Sequence, residues 1–185
     1  MKKYVILAGV NGAGKSTLFS LLSSLNEIEK INLDDIVREI GNWRNVGDVV
    51  EAGKIVVKKI NKFFEDGISF SQETTLCGKS ILKNIQKARS LGYIIELHFV
   101  GLDSADLAKE RVKFRVQHGG HGISEEDIDR RYVETLANLK KIISQCNLVA
   151  IYDNTISFRR FAIYKDGKCV RKSKKVPDWY IKNIE

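Results

Sequence analysis

Residues 9–16 form a glycine-rich turn that limits this chain to one kind of fold. They read Gly-Val-Asn-Gly-Ala-Gly-Lys-Ser and match the phosphate-binding pattern G-x-x-x-x-G-K-[ST]. An apolar, β-branched run over 3–8 predicts a buried strand before the turn, and apolar residues at helical spacing over 17–22 predict a helix after it. Glycines let the backbone fold around a phosphate, and the helix N-terminus then faces the anion. The stretch therefore predicts a P-loop that binds a nucleoside triphosphate.

The whole turn is expected to contact the nucleotide, through Gly9, Val10, Asn11, Gly12, Ala13, Gly14, Lys15, Ser16 and Thr17. The Lys15 ammonium would reach the β- and γ-phosphates, and the Ser16 hydroxyl would ligate Mg²⁺. The alternative is a glycine-rich turn that matches by chance. Three glycines, a lysine and a serine in a strand–helix context argue against it. The pattern leaves open what happens to the phosphate.

Composition indicates a soluble globular protein with a single α/β domain over 1–185. The chain has 43% hydrophobic and 29% charged residues, and no apolar run approaches the roughly 18 residues of a membrane-spanning helix. Its three cysteines, Cys77, Cys146 and Cys169, are far apart and form no C-x-x-C pair. This spacing argues against a disulfide framework or a zinc site and is typical of the reducing cytoplasm.

The net charge of +8 indicates anionic partners. A phosphorylated substrate, nucleic acid and an acidic protein partner would each account for it. A basic surface that is merely solvated would do so equally well. The basic run over 171–175 fits the last of these interpretations, although it would also suit nucleic acid.

Alternation of predicted strands and helices indicates a three-layer α/β fold of the P-loop NTPase type. Five strands, at 3–8, 30–33, 68–72, 93–100 and 148–152, are expected to form a mostly parallel sheet with helices on both faces. The dipeptide formed by Asp166 and Gly167 then predicts a small C-terminal β-hairpin. A short helix over 178–183 would close the chain.

Polar residues follow the second and third strands, at the sheet edge where ligands bind in open α/β folds. Asp34 is a candidate general base, but Asp34 or Asp35 would equally suit the N-cap of the next helix. Glu73 and Thr75 suit a hydroxyl-bearing substrate or Mg²⁺, and the alternative is a loop that caps a helix. The strand over 93–100 carries no acid at its end. The metal would therefore rely on Ser16, on water, and on Asp34 or Glu73.

Basic residues and glycines over 104–131 indicate a mobile lid that closes over phosphates. Two helices bracket the sequence Gly119-Gly120-His121, and they carry four arginines, Arg111, Arg115, Arg130 and Arg131. Such a lid would supply positive charge to a transferring phosphoryl group and exclude water. For each arginine, an ion pair with a local acid is the alternative. His118 and His121 lack a third ligand nearby, so a hydrogen-bonding His121 is expected and a metal site is not.

Other P-loop classes lack their signatures in this chain. A GTPase switch needs Asn-Lys-x-Asp, but Asn61 and Lys62 are followed by Phe63 and Phe64 inside a predicted helix. The Leu-Ser-Gly-Gly signature of ABC transporter ATPases is absent, and the chain is short for a helicase or AAA-type motor. A small chain with an arginine-rich lid is most typical of a small-molecule kinase.

Four segments together resemble the zeta-toxin family. They are residues 9–17, 32–34, 73–76, and the arginine and Gly-Gly-His pattern from Arg111 to Tyr132. Within the family, the pattern is similar to a short chromosomal branch often labelled "predicted ABC-type ATPase", which Asp153 and Asn154 also fit. The resemblance covers the chain to about residue 160, and the Gly-Gly-His segment with its arginines is its most specific part.

The resemblance implies a kinase-like fold that uses ATP or GTP with Mg²⁺. The best-studied members are bacterial toxins that phosphorylate the 3′-hydroxyl of the sugar in UDP-N-acetylglucosamine. It also implies the roles of single residues. Lys15 and Ser16 match the phosphate loop, and Asp34 the general base. Glu73 and Thr75 match substrate contacts. One arginine of each pair matches a γ-phosphate contact, with Arg115 and Arg131 favoured as catalytic and Arg111, Arg130 and His121 expected to bind substrate.

The sequence thus predicts an ATP-dependent kinase that phosphorylates a hydroxyl of a small molecule, and the resemblance makes a UDP-N-acetyl sugar a candidate acceptor. Two alternatives remain. One is a kinase acting on a nucleotide or on nucleic-acid ends, which the net charge favours. The other is an ATP-binding toxin or regulatory module that an antitoxin-like protein partner controls.

Overall fold

A computed structural model describes residues 1–25 and 27–185. The strands are β1 Lys3–Ala8, β2 Glu29–Ile31, β3 Phe70–Thr74, β4 Ile94–Gly101, β5 Leu148–Asp153, β6 Arg159–Lys165 and β7 Lys168–Lys172. The helices are α1 Lys15–Leu21, α2 Leu33–Ile40, α3 Val46–Asp66, α4 Lys79–Ser90, α5 Ala105–Gln117, α6 Glu125–Ile142 and α7 Asp178–Asn183. In these described ranges, no helix is long and apolar enough to cross a membrane.

The strands form one sheet in the order β2-β3-β1-β4-β5-β6-β7. The first five strands pair in parallel, which confirms the predicted α/β fold of the P-loop type. The predicted hairpin also forms, but it pairs along β5 in antiparallel fashion and so extends the sheet to seven strands. Without it, β5 would present an edge of unpaired backbone N–H and C=O groups.

Helices cover both faces of the sheet and so make three layers. On one face, α3, α4, α7 and the second half of α6 bury an aromatic cluster that includes Tyr4, Phe64, Phe70 and Tyr93. On the other face, α1 and α5 pack through Leu18 and Val112. Buried strands with apolar residues on both sides are typical of parallel sheets. This arrangement leaves the carboxyl ends of β1, β2 and β3 at one open edge.

The start of α2 differs from the prediction in a way that matters for function. The second strand ends at Ile31, and Asn32 is the N-cap of α2, with its Oδ1 accepting a hydrogen bond from the Asp34 N–H at 3.0 Å. The proposed capping role of Asp34 or Asp35 is therefore wrong, because the cap position is already filled by Asn32. Both carboxylates lie in the first turn of the helix instead.

Gly101, at the end of β4, lies against Trp179 of α7, and a Cβ there would come within 2.1 Å of the indole. Trp179 is only 2% exposed and has no room to move. We expect Gly101→Ala to lower the free energy of unfolding by about 1–3 kcal/mol, the usual cost of overpacking. Urea denaturation would measure the change.

A second glycine provides the matched control. Gly53 lies inside α3, and a Cβ there would meet no atom within 4 Å. Gly53→Ala should raise the free energy of unfolding by up to about 1 kcal/mol, since alanine is the better helix former. Equal stability of Gly101→Ala and the wild type would contradict the close packing of α7 on the sheet.

Candidate active site

The phosphate loop turns sharply between β1 and α1. Gly12 and Gly14 have φ angles of 78° and 97°, in the left-handed region that glycine adopts without a Cβ clash. A Cβ at Gly9 would lie 2.4 Å from the backbone oxygen of Val100, so the loop passes β4 too closely for a side chain. Gly14 is the N-cap of α1, and the loop therefore runs directly into a helix N-terminus, which favours anions.

Lys15, the first residue of α1, folds back onto this loop. Its Nζ donates hydrogen bonds to the backbone oxygens of Gly9 at 3.0 Å and Val10 at 3.2 Å. Burial lowers the pKa of Lys15, whereas the nearby carboxylates of Glu73 and Asp34 act to raise it. The ammonium group thus lies over the loop, and it shares one cavity with the carboxylates of Glu73 on β3 and Asp34 on α2.

Glu73 lies beside the phosphate loop because β3 pairs with β1, with Glu73 opposite Leu7. The Ser16 Oγ donates to its Oε1 at 3.2 Å, and the Asn32 Nδ2 donates to its Oε2 at 3.2 Å. A hydroxyl and a carboxylate so close together suit Mg²⁺, which commonly takes one or two protein ligands and completes its shell with phosphate oxygens and water. No cluster of three metal-binding side chains occurs among residues 1–25 and 27–185.

Asp34 and His121 meet across the site, with the His121 Nε2 3.0 Å from the Asp34 Oδ2. The Arg115 Nη2 lies 3.2 Å from the same nitrogen, and a proton on the Nε2 would be donated to the Asp34 carboxylate. Burial acts to raise the pKa of Asp34, but the His121 hydrogen bond and charge, aided by Arg115 and Lys15, hold it below its usual value. Asp34 is therefore ionised at neutral pH and able to accept a hydrogen bond.

Arg115 supports the loop that carries His121. Its Nε donates to the His121 backbone oxygen at 2.9 Å. A Cβ at Gly120 would lie 2.5 Å from the Arg115 Cγ, so only glycine lets the loop approach this closely. Arg115 and Lys15 line the same cavity, and the charge of Arg115 acts to lower the pKa of Lys15. One end of its guanidinium thus fixes the Gly-Gly-His loop beside the phosphate loop.

Arg111 contacts the chain that follows β5. It donates to the backbone oxygens of Asn154 at 2.7 Å and Thr155 at 3.2 Å. The Asn154 Nδ2 donates in turn to the Ala13 backbone oxygen at 2.9 Å and lies against Gly14. Asn154 thus braces the phosphate loop. Asn154 is not among the site residues predicted from the sequence, although its place after a parallel strand was a signal.

The adjacent arginines at the start of α6 have different surroundings. Arg131 extends toward the phosphate loop, where its Nη1 lies 3.4 Å from the Asn11 Oδ1. Arg130 instead forms ion pairs with Asp127 at 2.6 Å and Glu134 at 3.4 Å, and its side chain is 58% exposed. Of this pair, only Arg131 contributes to the cavity described next.

These elements enclose a cavity of about 1140 Å³. Predicted site residues that line it are Asn11, Gly12, Gly14, Lys15, Ser16, Thr17, Asp34, Glu73, Thr75, Arg111, Arg115, His121 and Arg131. Gly9, Val10 and Ala13 are buried residues of the phosphate loop, and the Arg130 side chain points away from the cavity. A single open cavity therefore brings together all but four of the predicted residues.

A comparison with protein families decides what kind of chain this is. Residues 1–166 match the model of the family described as zeta toxin. The chain belongs to the zeta toxin family. The match includes the phosphate loop, both carboxylates and the arginine-bearing helices. It ends before α7, so the helix that packs Trp179 against Gly101 lies outside the matched region.

One sequence relative of this zeta-toxin chain is an uncharacterised protein of Haemophilus influenzae. The two are 31% identical over 130 residues, which is 70% of this chain and 92% of the relative.

Solved structures share the zeta-toxin fold at low sequence identity. The complex of AvrRxo1-ORF1 with AvrRxo1-ORF2 matches with a TM-score of 0.77 and 13% identity in its form with sulphate ions, and 0.70 and 12% in its form with ATP. Each match covers 100% of this chain but 64% of the other. The PezAT chromosomal toxin–antitoxin system of Streptococcus pneumoniae matches with a TM-score of 0.66 and 18% identity, over 98% of this chain and 75% of that one.

The outer wall of the zeta-toxin cavity contains residues that the sequence analysis missed. Lys30, Arg38, Trp43 and Arg44 line it, and the Arg44 guanidinium lies 4.5 Å from the centre of the Trp43 ring. Lys30 and Arg38 both pair with Asp35. No local motif distinguished these residues, because their shared position depends on how α2 and the loop after it pack on α3.

Proposed function

We propose that this zeta-toxin chain is an ATP-dependent kinase that transfers the γ-phosphoryl group to a hydroxyl of a small molecule. The proposal rests on one arrangement. An ionised carboxylate, Asp34, lies in the same cavity as the phosphate loop and the Lys15 ammonium. Arg115 and Arg131 line this cavity too, and their charges act to lower the pKa of Lys15. Phosphoryl transfer needs mainly positioning and positive charge around the moving group, and this cavity offers both.

Each residue then has a chemical role. Lys15 and the loop N–H groups bind the β- and γ-phosphates. Arg115 and Arg131 offset the charge that develops on the transferring group. Asp34 orients the acceptor hydroxyl and takes its proton, a small demand because the transition state is loose. The segment 104–131 acts as the lid, since Arg111 and Arg115 lie on α5, His121 on the following loop and Arg131 on α6.

ATP is the donor we propose, with GTP as the alternative, and the AvrRxo1-ORF1 structure with ATP shares this fold. Ser16 and Glu73 fit a Mg²⁺ ion, as their donor atoms lie side by side. When bound there, the ion would neutralise part of the charge of the phosphates.

UDP-N-acetylglucosamine is the acceptor to test first, because it is the substrate that the family resemblance implies. Glu73, Thr75 and His121 line the cavity near Asp34 and would contact it. We also propose an antitoxin-like protein partner, on the likeness to the PezAT toxin–antitoxin system. The three free thiols, Cys77, Cys146 and Cys169, support a cytoplasmic location.

A kinase acting on nucleic-acid ends is the second candidate. The basic outer wall of the cavity favours it, because Lys30, Arg38 and Arg44 lie beyond Asp34 on the open side. Binding of oligonucleotides that weakens steeply with salt would support this candidate over a sugar-nucleotide kinase.

The proposed function is tested by ³¹P NMR of the protein with ATP, Mg²⁺ and UDP-N-acetylglucosamine. We expect a new sugar-phosphate signal with equimolar ADP, and neither with Lys15→Met. ADP and inorganic phosphate alone would eliminate this acceptor, and a 5′-hydroxyl oligonucleotide would then be tested. A protein that neither binds nor consumes ATP would contradict the kinase assignment.

A further inference from the structure

Asn32 makes two hydrogen bonds that link the two carboxylates of the cavity. Its Oδ1 accepts from the Asp34 N–H at 3.0 Å, and its Nδ2 donates to the Glu73 Oε2 at 3.2 Å. It is the last residue before α2, and Ile31 before it pairs with Gln72 next to Glu73. The amide therefore spans the gap between the helix that carries Asp34 and the strand that carries Glu73.

The helix cap alone does not require an amide. Serine, aspartate and asparagine are about equally good N-caps, because each offers an oxygen to the helix N–H groups. Among these three, only asparagine carries its acceptor and its donor on two separate atoms, whereas a serine hydroxyl would have to make both bonds from one oxygen and an ionised aspartate has no donor. The second bond is thus a separate property of Asn32, and it is directed at the carboxylate.

The Asn32 bond matters because Glu73 has a competing partner. Its carboxylate accepts from the hydroxyl of Ser16, the residue next to Lys15 on α1, and Lys15 lines the same cavity. Held by Asn32 on one oxygen, Glu73 stays beside the Ser16 hydroxyl. Released, it could turn toward the Lys15 ammonium and neutralise the charge that the β- and γ-phosphates need.

We propose that Asn32 is a positioning residue that holds Glu73 beside Ser16 while it fixes the start of α2 and hence Asp34. It sets the spacing between the two carboxylates and keeps Lys15 free for phosphate. This role rests on the proposed kinase function and adds to it a residue that acts through Glu73 and Asp34.

Two variants separate this role from capping. Asn32→Asp keeps a cap oxygen but has no donor for Glu73 and adds a like charge beside it. Asn32→Ser keeps a cap oxygen but loses the amide N–H, and its hydroxyl is one bond shorter than the amide that reaches Glu73. We expect both to melt close to the wild type. Turnover of ATP should fall about tenfold to a hundredfold, the effect of a displacement of about 1 Å at a reacting group. The Mg²⁺ concentration for half-maximal turnover should rise. Asn32→Ala, which loses cap and donor, should also melt lower.

A measurement on the free protein tests the contact directly. The Asn32 side-chain amide gives a pair of ¹H–¹⁵N signals that Asn32→Ser identifies by their loss. We expect Glu73→Gln to shift this pair, because a carboxylate acceptor is replaced by an amide. The affinity for a fluorescent ATP analogue is then measured for the wild type and the Asn32 variants, once with Mg²⁺ and once with EDTA. In Asn32→Asp we expect weaker binding under both conditions.

Different outcomes would contradict the positioning role of Asn32 and the proposed kinase function. If Asn32→Ser and Asn32→Asp keep wild-type turnover, Mg²⁺ requirement and nucleotide affinity, Asn32 is a helix cap only and the positioning role is overturned. Unshifted Asn32 signals in Glu73→Gln would overturn it too. A wild-type protein that binds no ATP would instead contradict the kinase function, and the positioning role with it.

Discussion

Arg131→Ala is expected to lower kcat by about 10³–10⁵, the effect of removing an arginine that stabilises the transition-state charge. Arg131 reaches the phosphate loop at Asn11 and lines the same cavity as Lys15. Its charge would act mainly after the phosphoryl group begins to move, so the affinity for ATP should change much less than kcat. Single-turnover measurements of ADP formation and titration with a fluorescent ATP analogue would separate the two quantities.

Arg130→Ala is the matched control, since it removes the same side chain from the adjacent position of the same helix. Arg130 is exposed and paired with Asp127 and Glu134. Exposed ion pairs contribute about 0–1 kcal/mol, so Arg130→Ala should keep nearly all activity and stability. If the two variants lost activity equally, or if Arg130→Ala lost more, the assignment of Arg131 would be wrong.

Asp34→Asn is expected to reduce turnover by about 10²–10⁴, the usual contribution of a general base. The carboxylate is ionised at neutral pH because His121, Arg115 and Lys15 outweigh the effect of burial on its pKa. Asparagine keeps the size of the side chain and leaves the Asn32 cap intact, so the fold should survive. Titration with a fluorescent ATP analogue should give near-normal affinity, while ³¹P NMR detects little product.

Asp35→Asn gives the comparison within the same turn of α2. Asp35 also lines the cavity, but it pairs with Lys30 and Arg38 and not with His121. This variant is expected to keep most of its kcat, because no step of the proposed mechanism uses Asp35. If Asp35→Asn lost turnover while Asp34→Asn kept full activity, Asp34 would not be the general base and the mechanism would have to be revised.

Much of the fold follows from local patterns in the chain. The phosphate loop is recognisable because its glycines adopt backbone angles that other residues avoid, so glycine is required at fixed positions in the sequence. The parallel strands and the helices between them are recognisable because burial on both faces selects long apolar runs. Polar residues after these runs, such as Asp34 and Glu73, must then meet at the carboxyl edge whatever else the chain does.

Packing, in contrast, determines which of two neighbouring residues faces the cavity. Arg131 follows Ile128 by three positions on α6, and burial of Ile128 in the core turns Arg131 toward the cavity and Arg130 toward Asp127 and Glu134. Periodicity locates the buried stripe of a helix but does not say which flank of it borders a cavity formed by other elements. For the same reason, local patterns did not predict the role of Asn154, which reaches the phosphate loop only because β5 lies beside β4.

The sequence by itself determined that the chain folds as a P-loop protein of this family and which residue types meet at one edge of the sheet. Local backbone requirements and burial periodicity are properties of short stretches of sequence, and they can therefore be predicted without a structure. Only the tertiary structure decided that Asn32 caps α2, that Asp34 pairs with His121 and that the hairpin completes the sheet. Those outcomes depend on distances between segments far apart in the chain, which packing sets and local sequence does not encode.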